Sequence, residues 1–164
     1  EVVYRPMFLG AVMKASGNRP PATVPAKHRY LLADVSLWAK HYRVPLTMNP
    51  LFPQNTVNAL RLALVAQQEG LFPGLHRRLF DAMWAEQRSL EDDAVLATIA
   101  AEAGLDANSC MQAIGSQSVK DLLRANTDEA VARGAFGAPT FFVGERMFFG
   151  NDRFEFIREA LNNS

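Results

Sequence analysis

Two short stretches near the C-terminal end stand out, one of them for residue types suited to holding a charged ligand. Gly150-Asn151-Asp152 stands ahead of an amphipathic run whose Phe154, Ile157 and Leu161 are expected to face inward. The start of a helix presents unpaired N–H groups and the positive end of its dipole, which attract a carboxylate. The Asp152 carboxylate adds a partner for an ammonium, and an α-amino-acid end carries both charges. The plainer role for the same residues is a helix N-cap, where Asn and Asp are common. The second stretch is Ala138-Pro139-Thr140. A proline at the head of an apolar run reads as the start of an edge strand, since it has no N–H for a ladder.

Other reactive types are less well placed. His28, His41 and His76 show no metal-ligand spacing, so no metal site is expected. Cys110 is the single cysteine, which excludes an internal disulfide or a CxxC pair within these residues. With no activating group beside it, Cys110 reads as a small apolar residue of a helix. Asp92-Asp93 reads as a helix start, and Trp84 with Phe80 and Met83 as core.

Positioning these residues requires a strand, a helical middle and a β-rich ending. Glu1-Val2-Val3-Tyr4-Arg5-Pro6 is rich in β-branched and aromatic residues and reads as a strand. A proline-rich loop follows, through Ser16-Gly17-Asn18-Arg19-Pro20-Pro21 and Pro25. From Ala26 the spacing of Leu31, Val35, Trp38 and Tyr42 is helical, and Arg43-Val44-Pro45 ends it. Leu46 to Asn55 is a loop, and a helix from about Thr56 stops at Gly70. Leu75, Leu79, Phe80, Met83 and Trp84 mark the next helix. Ser89 with Asp92 resembles a capping box for a helix ending at Gly104, and Asp106 caps a short one finishing at Gly115. Val119, Leu122, Leu123, Asn126 and Ala130 mark a longer helix ending at Gly134. The period then changes, and Thr140–Val143 and Arg146–Phe149 flank Gly144-Glu145 as a hairpin.

Composition narrows the class of function. The 164 residues balance 17 basic against 17 acidic side chains, which argues against a general nucleic-acid binder. No apolar run is long enough to span a bilayer, so no membrane partner is expected.

The stretch Phe136-Gly137-Ala138-Pro139-Thr140-Phe141-Phe142-Val143-Gly144, followed by Phe148-Phe149-Gly150-Asn151-Asp152-Arg153, resembles the 2-hydroxychromene-2-carboxylate isomerase and kappa-class glutathione transferase family. Gly17-Asn18-Arg19-Pro20-Pro21, the Trp38 helix and Phe52-Pro53-Gln54-Asn55-Thr56 are further matches in family order. The resemblance implies an α/β protein with a thioredoxin-like fold of the DsbA type and an inserted all-helical domain. Residues 1–25 and 135–164 would form the thioredoxin-like domain and 26–134 the insertion. It also implies that the family's first strand-helix unit and its catalytic serine precede Glu1. No catalytic residue is then expected in this chain, which alone should not turn over substrate.

The same resemblance implies glutathione as cofactor. Ala138 and Pro139, joined by a cis peptide, would pair with its cysteinyl part, while Phe149, Gly150, Asn151 and Asp152 would complete the binding site. Met13, Lys14, Asn18, Phe52 and Asn55 would flank the second substrate, a small aromatic carboxylate; Lys14 reads equally well as a solvated surface charge. The implied reaction is isomerisation of 2-hydroxychromene-2-carboxylate type, by reversible addition of the glutathione thiolate to a conjugated 2-oxo acid. Kappa-like glutathione transfer and DsbA-like thiol–disulfide exchange are the alternatives, with a non-catalytic thioredoxin-like module as a third. A cytoplasmic homodimer is the implied setting.

Overall fold

The computed structural model describes residues 1–163. Its contacts divide the chain into two units, Pro21–Leu123 and Glu1–Pro20 with the chain from Arg124 on. Both crossings fall earlier than the boundaries drawn from sequence.

The Pro21–Leu123 unit is helical. A 3-10 turn, Pro21–Thr23, leads into α2 (Pro25–Tyr42), followed by α3 (Val57–Gln68), α4 (Phe72–Trp84), α5 (Asp93–Glu102) and α6 (Ala107–Ala113). The first turns of α7 (Gln117–Ala132) complete it. Helical spacing brings Leu62, Leu64, Leu75, Leu96 and Ile99 into one core in which each is almost fully buried. The loop before α3 is tied to this core by Asn49, a buried side chain. Its Nδ2 donates to the carbonyls of Met83 (3.1 Å) and Arg88 (2.9 Å), and its Oδ1 accepts from Leu51 N at 2.9 Å. Helix α2 differs from its neighbours: Leu31, Val35 and Trp38 are half-buried, Tyr42 is exposed, and no residue of the helix is buried.

One capping assignment is corrected here. The residue capping α5 is Asp92, whose carboxylate accepts from Ala94 N at 2.8 Å. Ser89 instead accepts from Glu91 N at 3.3 Å, closing a turn of the preceding loop. Asp106 caps α6 as its position implies, accepting from Ser109 N at 2.7 Å.

The other unit holds α1 (Leu9–Ser16), the last turns of α7, the strands β1 (Thr140–Val143) and β2 (Arg146–Phe149), and α8 (Phe154–Asn162). The hairpin is antiparallel with Thr140 opposite Phe149 and Val143 opposite Arg146. Gly144 sits in the turn at φ 56°, a left-handed angle that costs glycine nothing. The core of this unit is small: Val12, Ala130 and Ala135, with Met7, Val131 and Phe142 against them.

Three sequence expectations are corrected in this unit. Glu1–Pro6 forms no strand. Val2, Val3 and Tyr4 are exposed, and no strand among the described residues pairs with them. Strand propensity alone supplies no ladder, which needs a neighbour. The segment after Pro6 is not simply loop but contains α1, which ends at Gly17 with φ 72°. In α8 the buried line runs through Ile157 and Ala160, leaving Phe154 (46% exposed) and Leu161 (60%) on its rim instead of facing inward.

Candidate functional site

The segment Phe136–Thr140 is held from three directions, all within one unit. Asn18, just beyond the end of α1, donates from Nδ2 to the Phe136 carbonyl at 2.8 Å and accepts Arg19 N on Oδ1 at 2.8 Å. Thr140 turns back on the segment, its Oγ1 donating to the Gly137 carbonyl at 2.8 Å. Gly150, just past β2, donates its N–H to the Pro139 carbonyl at 3.0 Å. The Ala138–Pro139 peptide is cis, and both residues are exposed.

These bonds leave a defined gap. In the run 136–139, three carbonyls are taken, while the N–H and C=O of Ala138 have no partner among the described residues. An exposed, unpaired peptide unit beside a strand start can receive one residue of an extended ligand through two backbone hydrogen bonds.

The aromatic residues close the segment from above. Phe149 lies against Phe136, ring centroids 4.5 Å apart, and against the backbone of Gly137. A Cβ at Gly137 would stand 2.7 Å from the Phe149 ring, so only glycine fits the observed packing. Gly150 is constrained twice: its φ is 106°, and a Cβ there would stand 2.6 Å from Oδ1 of Asp152.

Asp152 therefore folds over Gly150, and its other oxygen pairs with the guanidinium of Arg153. Both side chains remain about half exposed. The N-cap position of α8 falls to Arg153 and carries no side-chain cap. Gly150-Asn151-Asp152 is thus a turn ahead of the helix, and neither Asn151 nor Asp152 is its cap. Side by side, Asp152 and Arg153 offer an anion and a cation to solvent.

The remaining candidates divide between the units. Met13 is half-buried and Lys14 exposed on α1, in the same unit as the segment just described. Phe52 and Asn55 belong to the helical unit. Phe52 lies against Trp84, ring centroids 5.5 Å apart. Asn55 lines a polar cavity of about 550 Å³ with Val57, Asn58, Arg61 and Glu91. Its N–H donates to Glu91 and its Oδ1 accepts from Val57 N at 3.1 Å. Cys110 is buried in the helical core, and burial raises its thiol pKa, which keeps it protonated. Sequence reading missed Thr140 and Arg153 as site residues. Both stand inside the quoted motifs, but the signal that singles them out is an observed hydrogen bond and an observed ion pair.

The model of the DSBA-like thioredoxin domain family matches residues 1–162. The chain belongs to this family. Within it, the chain is similar to the kappa-class glutathione transferases and the 2-hydroxychromene-2-carboxylate isomerases. Glutathione S-transferase kappa 1 of Caenorhabditis elegans is 32% identical, the match covering 96% of this chain and 76% of that protein. The 2-hydroxychromene-2-carboxylate isomerase of Sphingobium xenophagum is 30% identical over 98% of this chain and 82% of its own length. A solved structure of 2-hydroxychromene-2-carboxylate isomerase superposes with a TM-score of 0.78 at 23% identity, covering 96% of this chain and 77% of that one. The fold is accordingly the DsbA-like thioredoxin fold, helix-rich with a two-stranded sheet among the described residues. Relatives of this DsbA-like chain include both an isomerase and transferases, so membership alone does not choose between the two reactions.

Proposed function

We propose that this chain binds glutathione on the Phe136–Asp152 segment and belongs to a glutathione-dependent isomerase acting on a 2-hydroxychromene-2-carboxylate type of substrate. The observation that carries the reading is the unpaired Ala138 peptide, exposed between carbonyls that are all occupied. A cysteinyl residue lying antiparallel to it would accept from the Ala138 N–H and donate to the Ala138 C=O. The γ-glutamyl end carries an ammonium and a carboxylate, which Asp152 and Arg153 match in sign and proximity. Phe149, with Gly150 and Asn151, would wall the space between the two anchor points.

Bound glutathione supplies a thiol nucleophile. What these residues contribute is orientation: two backbone hydrogen bonds at Ala138 and a charge pair at Asp152 and Arg153 fix the ligand at separate points. Met13, Lys14 and Asn18 are proposed to meet the second substrate, and a lysine suits its carboxylate. Kappa-type transfer is the second reading, favoured by the 32% identity to a glutathione transferase. A cytoplasmic homodimer is part of the same proposal.

Calorimetric titration with glutathione tests the first half, and the reading fails if no heat of binding is measured at millimolar ligand. The second half is tested on protein purified from its native source, with glutathione and either 2-hydroxychromene-2-carboxylate or 1-chloro-2,4-dinitrobenzene. Faster isomerisation supports the isomerase; faster conjugation replaces it with the transferase.

A further inference from the structure

Thr140 makes one contact that neither the family membership nor the ligand reading explains. Its hydroxyl points back along the chain, donating to the carbonyl of Gly137 at 2.8 Å, and Gly137 is buried. A buried carbonyl without a partner is costly, so this bond has a structural reason to persist. Its consequence is larger than its own strength. The Phe136 carbonyl is occupied by Asn18 and the Pro139 carbonyl by Gly150 N–H. With the Gly137 carbonyl occupied by Thr140, Ala138 is the one residue of 136–139 whose carbonyl is open among the described residues.

We propose that Thr140, assisted by Asn18, is a positioning residue that holds the Ala138 N–H in the direction in which an extended ligand can pair with it. It touches no reacting atom. The Gly137 carbonyl and the Ala138 N–H share one planar trans peptide and point in opposite directions, so the bond from Thr140 fixes where the Ala138 N–H points. It also holds the Gly137 peptide still while Phe149 packs on the other side of it. Without this latch the Gly137–Ala138 peptide is free to rotate and carry that N–H away from the ligand.

This inference rests on the glutathione reading for its ligand but not for its geometry, and the test separates the two. In the ligand-free protein, Thr140→Val replaces the hydroxyl with a methyl of similar shape. Hydrogen exchange at the Gly150 N–H, whose acceptor is the neighbouring Pro139 carbonyl, should accelerate about tenfold, the scale of one net hydrogen bond. Thr140→Ser, which keeps the hydroxyl, should restore the original rate. Asn18→Ala frees the Phe136 carbonyl and should act in the same direction, which gives a second route should the valine variant fold poorly. With glutathione as probe, Thr140→Val should raise Kd by about tenfold, with Thr140→Ser again near the original value.

Unchanged exchange and unchanged Kd in Thr140→Val would overturn the proposal. So would a loss that Thr140→Ser does not restore, because the hydroxyl would then not be its cause. If the unaltered protein takes up no glutathione while exchange at Gly150 responds as expected, the latch stands and the ligand reading falls.

Discussion

The helical unit and the hairpin unit solve the problem of order differently. In Pro21–Leu123, large side chains such as Leu62, Leu75, Leu96 and Ile99 are removed from water together, which is the dominant stabilising term for a fold. The hairpin unit buries mainly Val12, Ala130 and Ala135 in its core, leaving Phe154, Phe156 and Leu161 on its surface. Its segments are joined by side-chain to backbone hydrogen bonds. Asn126 donates to the Pro6 carbonyl at 3.2 Å, and Phe8 N donates to Thr127 Oγ1 at 3.0 Å. Arg133 donates to the Gly144 carbonyl at 2.6 Å while its guanidinium lies over the Phe142 ring. Directional bonds fix peptide orientation, which apolar packing does not. The candidate binding segment lies in the unit built this way.

The contrast can be broken by substitution. Leu62→Ala removes a fully buried side chain and should lower stability by about 2–5 kcal/mol, measured by chemical denaturation. Glutathione affinity of the folded fraction should stay near its original value; a parallel loss would erase the distinction between the units. Asn49→Ala leaves the Met83 and Arg88 carbonyls without their shared donor and should cost about 1–3 kcal/mol, again without a change in affinity. Gly137→Ala should do the reverse. The added methyl meets the Phe149 ring, so glutathione binding should weaken by at least about tenfold, the loss of one backbone hydrogen bond. The helical core should melt as before.

Asp92→Ala removes the α5 cap and should cost the helical unit about 0.5–2 kcal/mol, seen as a lower denaturation midpoint. The smallest effect expected is a pH dependence. His76 lies between the rings of Phe72 and Phe80, and burial lowers its pKa. The unfolded chain then binds the proton more readily than the folded one. Stability should therefore fall as pH drops below about 6.5, the ordinary histidine value, and level off below the folded value. His76→Gln should flatten that part of the curve. Further down, Glu86 and Glu102 are held below the usual carboxylate range, chiefly by hydrogen bonds from Arg78. What they contribute is present above about pH 4.5 and lost as pH falls through their lowered values.

Local signals explain which elements were legible in the sequence. The hairpin was, because Gly144-Glu145 separates two runs of β-formers and register follows from so short a turn. Helices α3 to α7 were, because apolar spacing and the glycines at 70, 104 and 134 mark them. Helix α1 was not: its eight residues include Gly10, it lacks a side-chain N-cap, and only Val12 is buried. The Glu1–Pro6 strand failed for the opposite reason, since its local preference was strong but no partner strand stands beside it among the described residues. In the site, the cis peptide was expected from the resemblance, whereas Gly150-Asn151-Asp152 was read as the helix start instead of a turn ahead of it, and the bond from Asn18 was not foreseen. Its partner Phe136 is 118 positions away, and no local pattern connects the two.

That separation also orders events in time. The contacts within Pro21–Leu123 are all available once residue 123 has been made, whereas the Asn18 amide waits for Phe136. At synthesis rates of roughly 5–20 residues per second, that wait is on the order of ten seconds. Over the last thirteen residues of it, roughly 1–3 seconds at the same rates, the first twenty residues still await Phe136 while the contacts of the helical unit are already available. A chain released after residue 123 and before residue 136 would keep every residue of the helical core and none of the binding segment.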